Sequence, residues 1–390
     1  MNTRVEWVRD NCRLLKGIAE EFSASRPFEG LTIGTGIHLE PKTVALLLTL
    51  KEGGARVVST GNLNSTQQTA VDHLRTHGVE VIGGPTRDPE EHRANLVQVL
   101  EARPQLILDN GGDLFTLYLE RPYDGLLGGT EETTSGRMRL EPLRAQLRVP
   151  ILVINDSPIK QFAENEHAVG QSVLESYMRV TNRVTNGQRV TVFGYGSCGR
   201  GVAENFKGAH AQVSVAEVDP VKRLNAHLDG YATPHRDEAI AGADLIVTVT
   251  GGERILRGSD LALLKDGVIL ANAGHFPVEI DVPDLRAHAS VTATTQYEDG
   301  VESLHLDDGR TVHLVTEGHM FNLAGPRPLG NSIESMDLGF ALQARCLQAV
   351  AADPTMADAC VVPVPVDIDN RVANAYLDLH YSAPLPAGSR

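Results

Sequence analysis

The sequence lacks paired cysteines. Its four, Cys12, Cys198, Cys346 and Cys360, form no CxxC pair and no metal-ligand spacing. They read as reduced and mostly buried thiols of a cytoplasmic protein rather than a disulfide framework or a zinc knuckle. The 14 histidines form no HExxH or similar pattern, so no metal site is expected. Positive charge is scarce too: Lys and Arg total 35 against 50 Asp and Glu, a net charge of −15. That balance argues against nucleic acid or an acidic membrane as partner. No long hydrophobic run occurs. The longest apolar stretch, Val44 to Leu50, is far short of the roughly 20 residues a membrane helix needs. The first 22 residues mix charged and apolar positions at helical spacing, without the apolar core of a signal peptide. There is no repeat of solenoid length and no low-complexity tract.

What is present is ordinary globular composition, 42% hydrophobic and 22% charged, in a chain of 390 residues, long enough for two domains. The first half alternates strand-like and helix-like segments. "LTIGTGIHL" (31–39), "ARVVSTG" (55–61), "VEVIGG" (79–84), "QLILDN" (105–110) and "PILVIND" (150–156) read as strands separated by helices. Such alternation predicts a parallel sheet covered on both faces, with ligands at the strand C-termini. Polar residues stand there: His38, Asn62, Asn110 and Asp156. A helix is expected over Glu164–Thr181. A second alternating unit then begins, with strands "RVTVFGYG" (189–196), "QVSVAEVD" (212–219), "ADLIVTVTGG" (243–252) and "GVILANAGHF" (267–276), and short runs near 295–316.

"VTVFGYGSCGRG" (190–201) joins a strand to a helix through Gly194, Gly196 and Gly199. The first glycine permits a tight turn, the second a close approach of pyrophosphate, and the third helix–strand packing. Ser197 and Cys198 open the helix whose N–H groups would face the phosphates. Glu217 ends the next strand, 23 residues after Gly194, where a carboxylate accepts from a ribose diol and disfavours a 2′-phosphate. NAD is therefore the expected cofactor. Asp219 reads as a helix cap before Pro220.

Several motifs, in order, resemble the S-adenosylhomocysteine hydrolase family. They are "GIHLEPKT" (36–43), "NLNSTQ" (62–67), "LDNGGDL" (108–114), "EETTSG" (131–136), "NDSPIK" (155–160), "GYGSCGRG", "AEVDP", "VTVTGG", "NAGHFPVEID" (272–281), "EGH" (317–319) and "MDLGFALQ" (336–343). The resemblance covers nearly the whole chain. It implies a recycled NAD that oxidises the ribose 3′-hydroxyl to a ketone. This acidifies C4′–H, the C5′ group leaves by β-elimination, water adds, and the ketone is reduced again. It further implies that Lys160 acts on the 3′-hydroxyl proton and that Glu132 binds the ribose hydroxyls. His38 and His275 would flank C5′. Asn62 and Thr66 would line the substrate, and His319 the base-binding loop. Thr133, Thr134, Ser135, Asn165, Thr250, Ala273 and Gly274 would touch NAD.

The sequence departs from the family pattern at four places. Asn110 replaces a carboxylate that helps proton transfer near C4′ and C5′, and Glu164 replaces an aspartate four residues after the lysine. Glu40 and Lys42 form the Glu-x-Lys variant of the base-binding segment, which suits adenine and admits hypoxanthine. The end, "LDLHYSAPLPAGSR", lacks the lysine- and tyrosine-rich tail that reaches a neighbouring subunit. His313 is the nearest match to the asparagine that holds the nicotinamide amide. The expected architecture is α/β with two doubly wound domains. A Rossmann NAD-binding domain (184–320) is inserted into a parallel-sheet substrate domain (1–183, with a returning helix at 331–351), and 352–390 form an accessory segment. The expected activity is NAD-dependent redox-elimination on a purine nucleoside. The departures favour a lyase or dehydratase that yields a 4′,5′-unsaturated product. Hydrolysis of S-adenosyl- or S-inosylhomocysteine is the alternative, and a non-catalytic NAD-binding regulator a third. A homo-oligomer, dimer or tetramer, is expected.

Overall fold

The structure, a computed structural model, describes residues 3–298 and 300–381. Two compact units result: residues 1–161 with 333–390, and residues 162–332.

In the first unit, the early strands are β1 (Thr32–Ile37), β2 (Arg56–Gly61), β3 (Glu80–Ile82), β4 (Leu106–Asp109), β5 (Gly128–Glu131) and β6 (Ile151–Val153). The second unit holds β7 (Arg189–Phe193), β8 (Gln212–Ala216), β9 (Leu245–Thr248), β10 (Ile269–Asn272), β11 (Val291–Gln296), β12 (Val301–Leu306) and β13 (Thr311–Val315). The last strand, β14 (Val362–Pro363), returns to the first sheet. The orders are β14-β6-β5-β4-β1-β2-β3 and β11-β12-β13-β10-β9-β7-β8. Strand order reverses between β1 and β4 in one sheet and between β7 and β9 in the other. Those reversals open the crevices in which α/β sheets hold ligands.

The first sheet is parallel throughout. In the second, β11, β12 and β13 pair antiparallel beside a parallel core. Period-two alternation supplies both faces of that core. Val190, Val192, Leu245, Val247 and Ile269 join one cluster, and Phe193, Ile246 and Leu270 the other.

Two elements differ from the sequence reading. Strand β5, "GGTE", has none of the β-branched runs that mark a strand apart from its threonine. Its glycines are demanded by closeness: a Cβ on Gly129 would stand 1.8 Å from the Ile107 carbonyl oxygen, and one on Gly128 2.3 Å from that of Pro150. The expected helix over Glu164–Thr181 begins earlier, as a π-helical stretch Lys160–Ala168 that passes into the α-helix Val169–Thr181. That helix lies in the second unit, whereas the expected boundary stood at 183/184. It packs along the helix Ser197–Gly208, where a Cβ on Gly170 would stand 2.3 Å from the Gly201 carbonyl oxygen. The accessory segment carries β14 and the helix Val366–Tyr381. Of the end expected to differ, 377–390, the first five residues finish that helix and 382–390 lie outside the described residues.

The helix Ile333–Ala352 closes the first unit. Its buried Asp337 accepts from the backbone N–H groups of Leu14 and Leu15, at 2.7 and 3.0 Å, and so caps the helix Arg13–Ser25 from a distant part of the chain. Burial pushes the Asp337 carboxyl from 3.8 up to about 6. The folded chain therefore keeps a proton that the unfolded chain has lost, and stability falls as pH rises through that window, by about 3 kcal/mol. Asp337→Asn is expected to flatten this fall, read as a smaller change in urea midpoint between about pH 4 and pH 7.

Candidate active site and cofactor cradle

Register brings the strand ends of the first unit level. Ile37 pairs with Gly61, Gly36 with Asp109, Asp109 with Glu131, and Glu131 with Val153. The next residues, His38, Asn62, Asn110 and Glu132, therefore stand side by side along one edge. Asn62 Nδ2 lies 3.3 Å from both the Asn110 carbonyl oxygen and its Oδ1, and Asn110 Nδ2 donates to Glu132 Oε2 at 2.7 Å. Burial raises the Glu132 carboxyl, while the Lys160 charge and the Asn110 hydrogen bond pull it down. Lys160 is itself buried. The Lys160 backbone N–H lies 3.5 Å from the Ser157 hydroxyl, which donates to Asp369 Oδ1 at 2.5 Å.

Beneath this row sits a carboxyl that the sequence reading passed over. Glu131 accepts from the N–H groups of Gly111, Gly112 and Thr133 and from the Thr133 hydroxyl. Burial pushes it up to about 7. It holds the Gly111–Gly112 turn in place, with Asp109 anchoring Asn110 and Phe115. The Thr133 hydroxyl also caps the helix Thr134–Leu140 through the Gly136 N–H, at 2.9 Å. That hydroxyl is thus occupied by the fold. Thr134 is exposed, its hydroxyl on Asn155, and Ser135 is half-exposed.

His38 is half-buried, with Nδ1 on the Ser65 hydroxyl. Thr66, in the same loop, donates its hydroxyl to the Asn62 carbonyl at 3.0 Å. Glu40 and Lys42 form an ion pair of 2.8 Å with side chains 7% and 4% exposed. A buried pair of this kind contributes little net stability.

In the second unit, Gly194 turns the chain at φ +99°, and a Cβ on Gly199 would stand 2.1 Å from the Gly194 carbonyl oxygen. Gly196 has open space where a Cβ would go. The helix Ser197–Gly208 starts there without a side-chain cap, and a helix N-terminus of this kind suits an anion. The Glu217 carboxylate accepts from the Tyr195, Val218 and Asp219 N–H groups and sets the acid beside the turn. Asp219 caps the helix Pro220–Leu228, as its sequence position predicts.

Asn272 organises the opposite wall. Its fully buried amide donates to the carbonyls of Gly274, Phe276 and Gly318, while its Oδ1 accepts from Thr248 and Gly274. Half-buried His275 sits in the loop so held, with Ala273 and Gly274 buried beside it. Glu279 gathers Thr250 and Gly251, and a Cβ on Gly274 would stand 1.9 Å from its Oε1. His319 is half-buried in the turn after β13. Glu164 and Asn165 are buried in the π-helical stretch.

His313 is misplaced as a cofactor ligand. It pairs with Ile269, the first residue of β10, and so lies at the N-terminal edge of the parallel strands, away from the glycine turn. Its Nδ1 meets the Ser303 hydroxyl of the neighbouring strand. The amide at the correct edge is Asn322, one residue beyond the Phe321 N–H that donates to the Asn272 carbonyl. Asn322 is 2% exposed. Its Nδ2 donates to Ser172, and its Oδ1 has no hydrogen-bond partner. The sequence signal was only an asparagine inside a Pro/Gly-rich loop.

A family profile described as "S-adenosyl-L-homocysteine hydrolase" matches residues 4–124. The profile of its "NAD binding domain" matches residues 165–327. The chain belongs to this family. The adenosylhomocysteinase of Thermotoga maritima is 41% identical over 97% of this chain and 95% of its own. The S-inosyl-L-homocysteine hydrolase of Methanopyrus kandleri is 39% identical over 96% and 89%. NAD is the cofactor of the second unit, and the residues fit it: an open cradle at Gly196, a carboxylate at Glu217, and an unanswered amide oxygen at Asn322. Among the described residues no cluster is placed to hold a metal ion, and no helix is long and apolar enough to cross a membrane.

Proposed function

We propose that the chain hydrolyses the thioether between a purine nucleoside and homocysteine. The observation that carries this reading is the buried row Asn62–Asn110–Glu132 with Lys160, set at the crevice of the first sheet. Bound NAD supplies reversible oxidation of the ribose 3′ carbon. Glu132, an acceptor beside a cation, suits a ribose hydroxyl. Lys160 takes the 3′-hydroxyl proton. His38 and His275 serve the C5′ end, where the thiolate leaves and water arrives. Glu164 orients the ribose from the π-helical stretch, and Asn165 and Asn322 hold the nicotinamide end. His319 borders the base. Glu40 accepts from an exocyclic amine and Lys42 donates to a ring nitrogen or carbonyl, so adenine and hypoxanthine both fit the pair.

The relatives' names, adenosylhomocysteinase and S-inosyl-L-homocysteine hydrolase, favour hydrolysis over the elimination-only chemistry expected from Asn110. One observation speaks for elimination: an amide cannot hold or release a proton at neutral pH. The NAD-loaded protein, given S-adenosylhomocysteine and S-inosylhomocysteine separately, is expected to release homocysteine and the matching nucleoside in equal amounts. A 4′,5′-unsaturated nucleoside that accumulates in place of the intact one would establish the lyase. No thiol from either substrate would overturn hydrolysis and thioether elimination alike, and turn the test to loss of water from a free 5′-hydroxy nucleoside.

A further inference from the structure

The hydrogen bonds around Asn110 run in one direction. Asn62 offers Nδ2 to both Asn110 oxygens, each at 3.3 Å, which leaves Asn110 Nδ2 to donate to Glu132 Oε2 at 2.7 Å. All three side chains are buried. The charged groups that act on Glu132 are Lys160, Glu40 with its partner Lys42, and Glu131. Glu131 is occupied by four donors. From the returning helix, the fully buried amide of Gln343 approaches Glu132 without closing a hydrogen bond.

Resting on the hydrolase reading above, we propose that Asn110 is a positioning residue. It holds Glu132 as an acceptor and makes Glu132, not residue 110, the group whose protonation sets the acid side of the pH profile. An acid at 110 would compete with Glu132 for one proton. An amide has none to give up, so the neighbouring carboxylate keeps a single role.

Three NAD-loaded proteins test this: wild type, Asn110→Asp and Asn110→Leu, each followed by thiol release across pH. Asn110→Leu removes the donor, so Glu132 protonates more readily and the acid limb moves up by about one unit. Asn110→Asp places two carboxyls in contact. Their shared proton imitates the amide donor near neutrality. Its loss at higher pH sets two carboxylates together, so a descending alkaline limb appears that wild type lacks. Profiles that keep the wild-type limbs and change only in height would overturn the proposal.

A second measurement is independent of turnover. In pH-difference infrared spectra, Asn110→Asp is expected to gain one protonated-carboxyl band at neutral pH, and this band is lost when Glu132→Gln is added. Absence of that band sinks the inference. Should wild type release no thiol, the hydrolase reading fails, and the infrared result still decides the role of Asn110.

Discussion

Replacing Lys160 by alanine lowers thiol release about a thousandfold, the expected size for loss of a general acid–base group. The change removes the cation whose charge lowers the Glu132 carboxyl. Glu132 then rises further, because burial already works against its ionised form. Two effects therefore fall together: the proposed proton acceptor for the 3′-hydroxyl is gone, and the carboxylate proposed to receive the ribose becomes partly neutral. Lys160→Arg separates them. A guanidinium keeps the charge beside Glu132 and cannot give up its proton. The arginine variant is expected to bind substrate near the wild-type level while releasing thiol as slowly as the alanine variant. Titration calorimetry and a thiol assay on the same preparations check this. An arginine variant that turns over within tenfold of wild type would remove Lys160 from the proton-transfer role.

The second large effect is in the glycine turn. Gly199→Ala puts a methyl group 2.1 Å from the Gly194 carbonyl oxygen, a backbone atom that cannot swing aside. The turn must open, at a cost of about 2–3 kcal/mol, and NAD affinity falls about a hundredfold. Gly196→Ala is the informative partner. Its methyl group meets no protein atom within 4 Å, and Gly196 has an ordinary φ of −76°. Thermal stability of the NAD-free protein should hold, while NAD affinity still drops because the methyl group occupies the phosphate's place. Equal NAD affinity in wild type and Gly196→Ala would move the pyrophosphate away from this turn.

Much of this was legible in the sequence, and the exceptions have physical causes. Strands β1, β2 and β7 announced themselves by β-branched residues and β4 by an aliphatic run, each stopping at a glycine or a polar residue. The parallel sheets followed from the alternation, and where the strand order reverses did not. Strand β5 was silent because its position demands glycine, and glycine carries no strand signal. The placement of His313 failed for a related reason. A match by nearest spacing ignores which end of a strand a residue occupies, and the pairing with Ile269 decides that. Asn322 was invisible because an amide in a loop looks the same whether its oxygen is answered or not. Asn110 was legible as a substitution. The direction in which it donates is a property of its neighbours in space, since Asn62 stands two strands away in the sheet order.

The cap that Asp337 places on Leu14 and Leu15 also bears on synthesis at the ribosome. The first unit receives its closing helix from Ile333–Ala352 and its last strand from Val362–Pro363. The second unit is one uninterrupted stretch, Phe162–Ser332. Chains grow from the N-terminus and domains fold as units. The cofactor unit is thus complete in sequence while the unit begun before it still lacks a helix and an edge strand. The nascent first sheet must wait with the β6 edge unpaired, and the half that starts first finishes last.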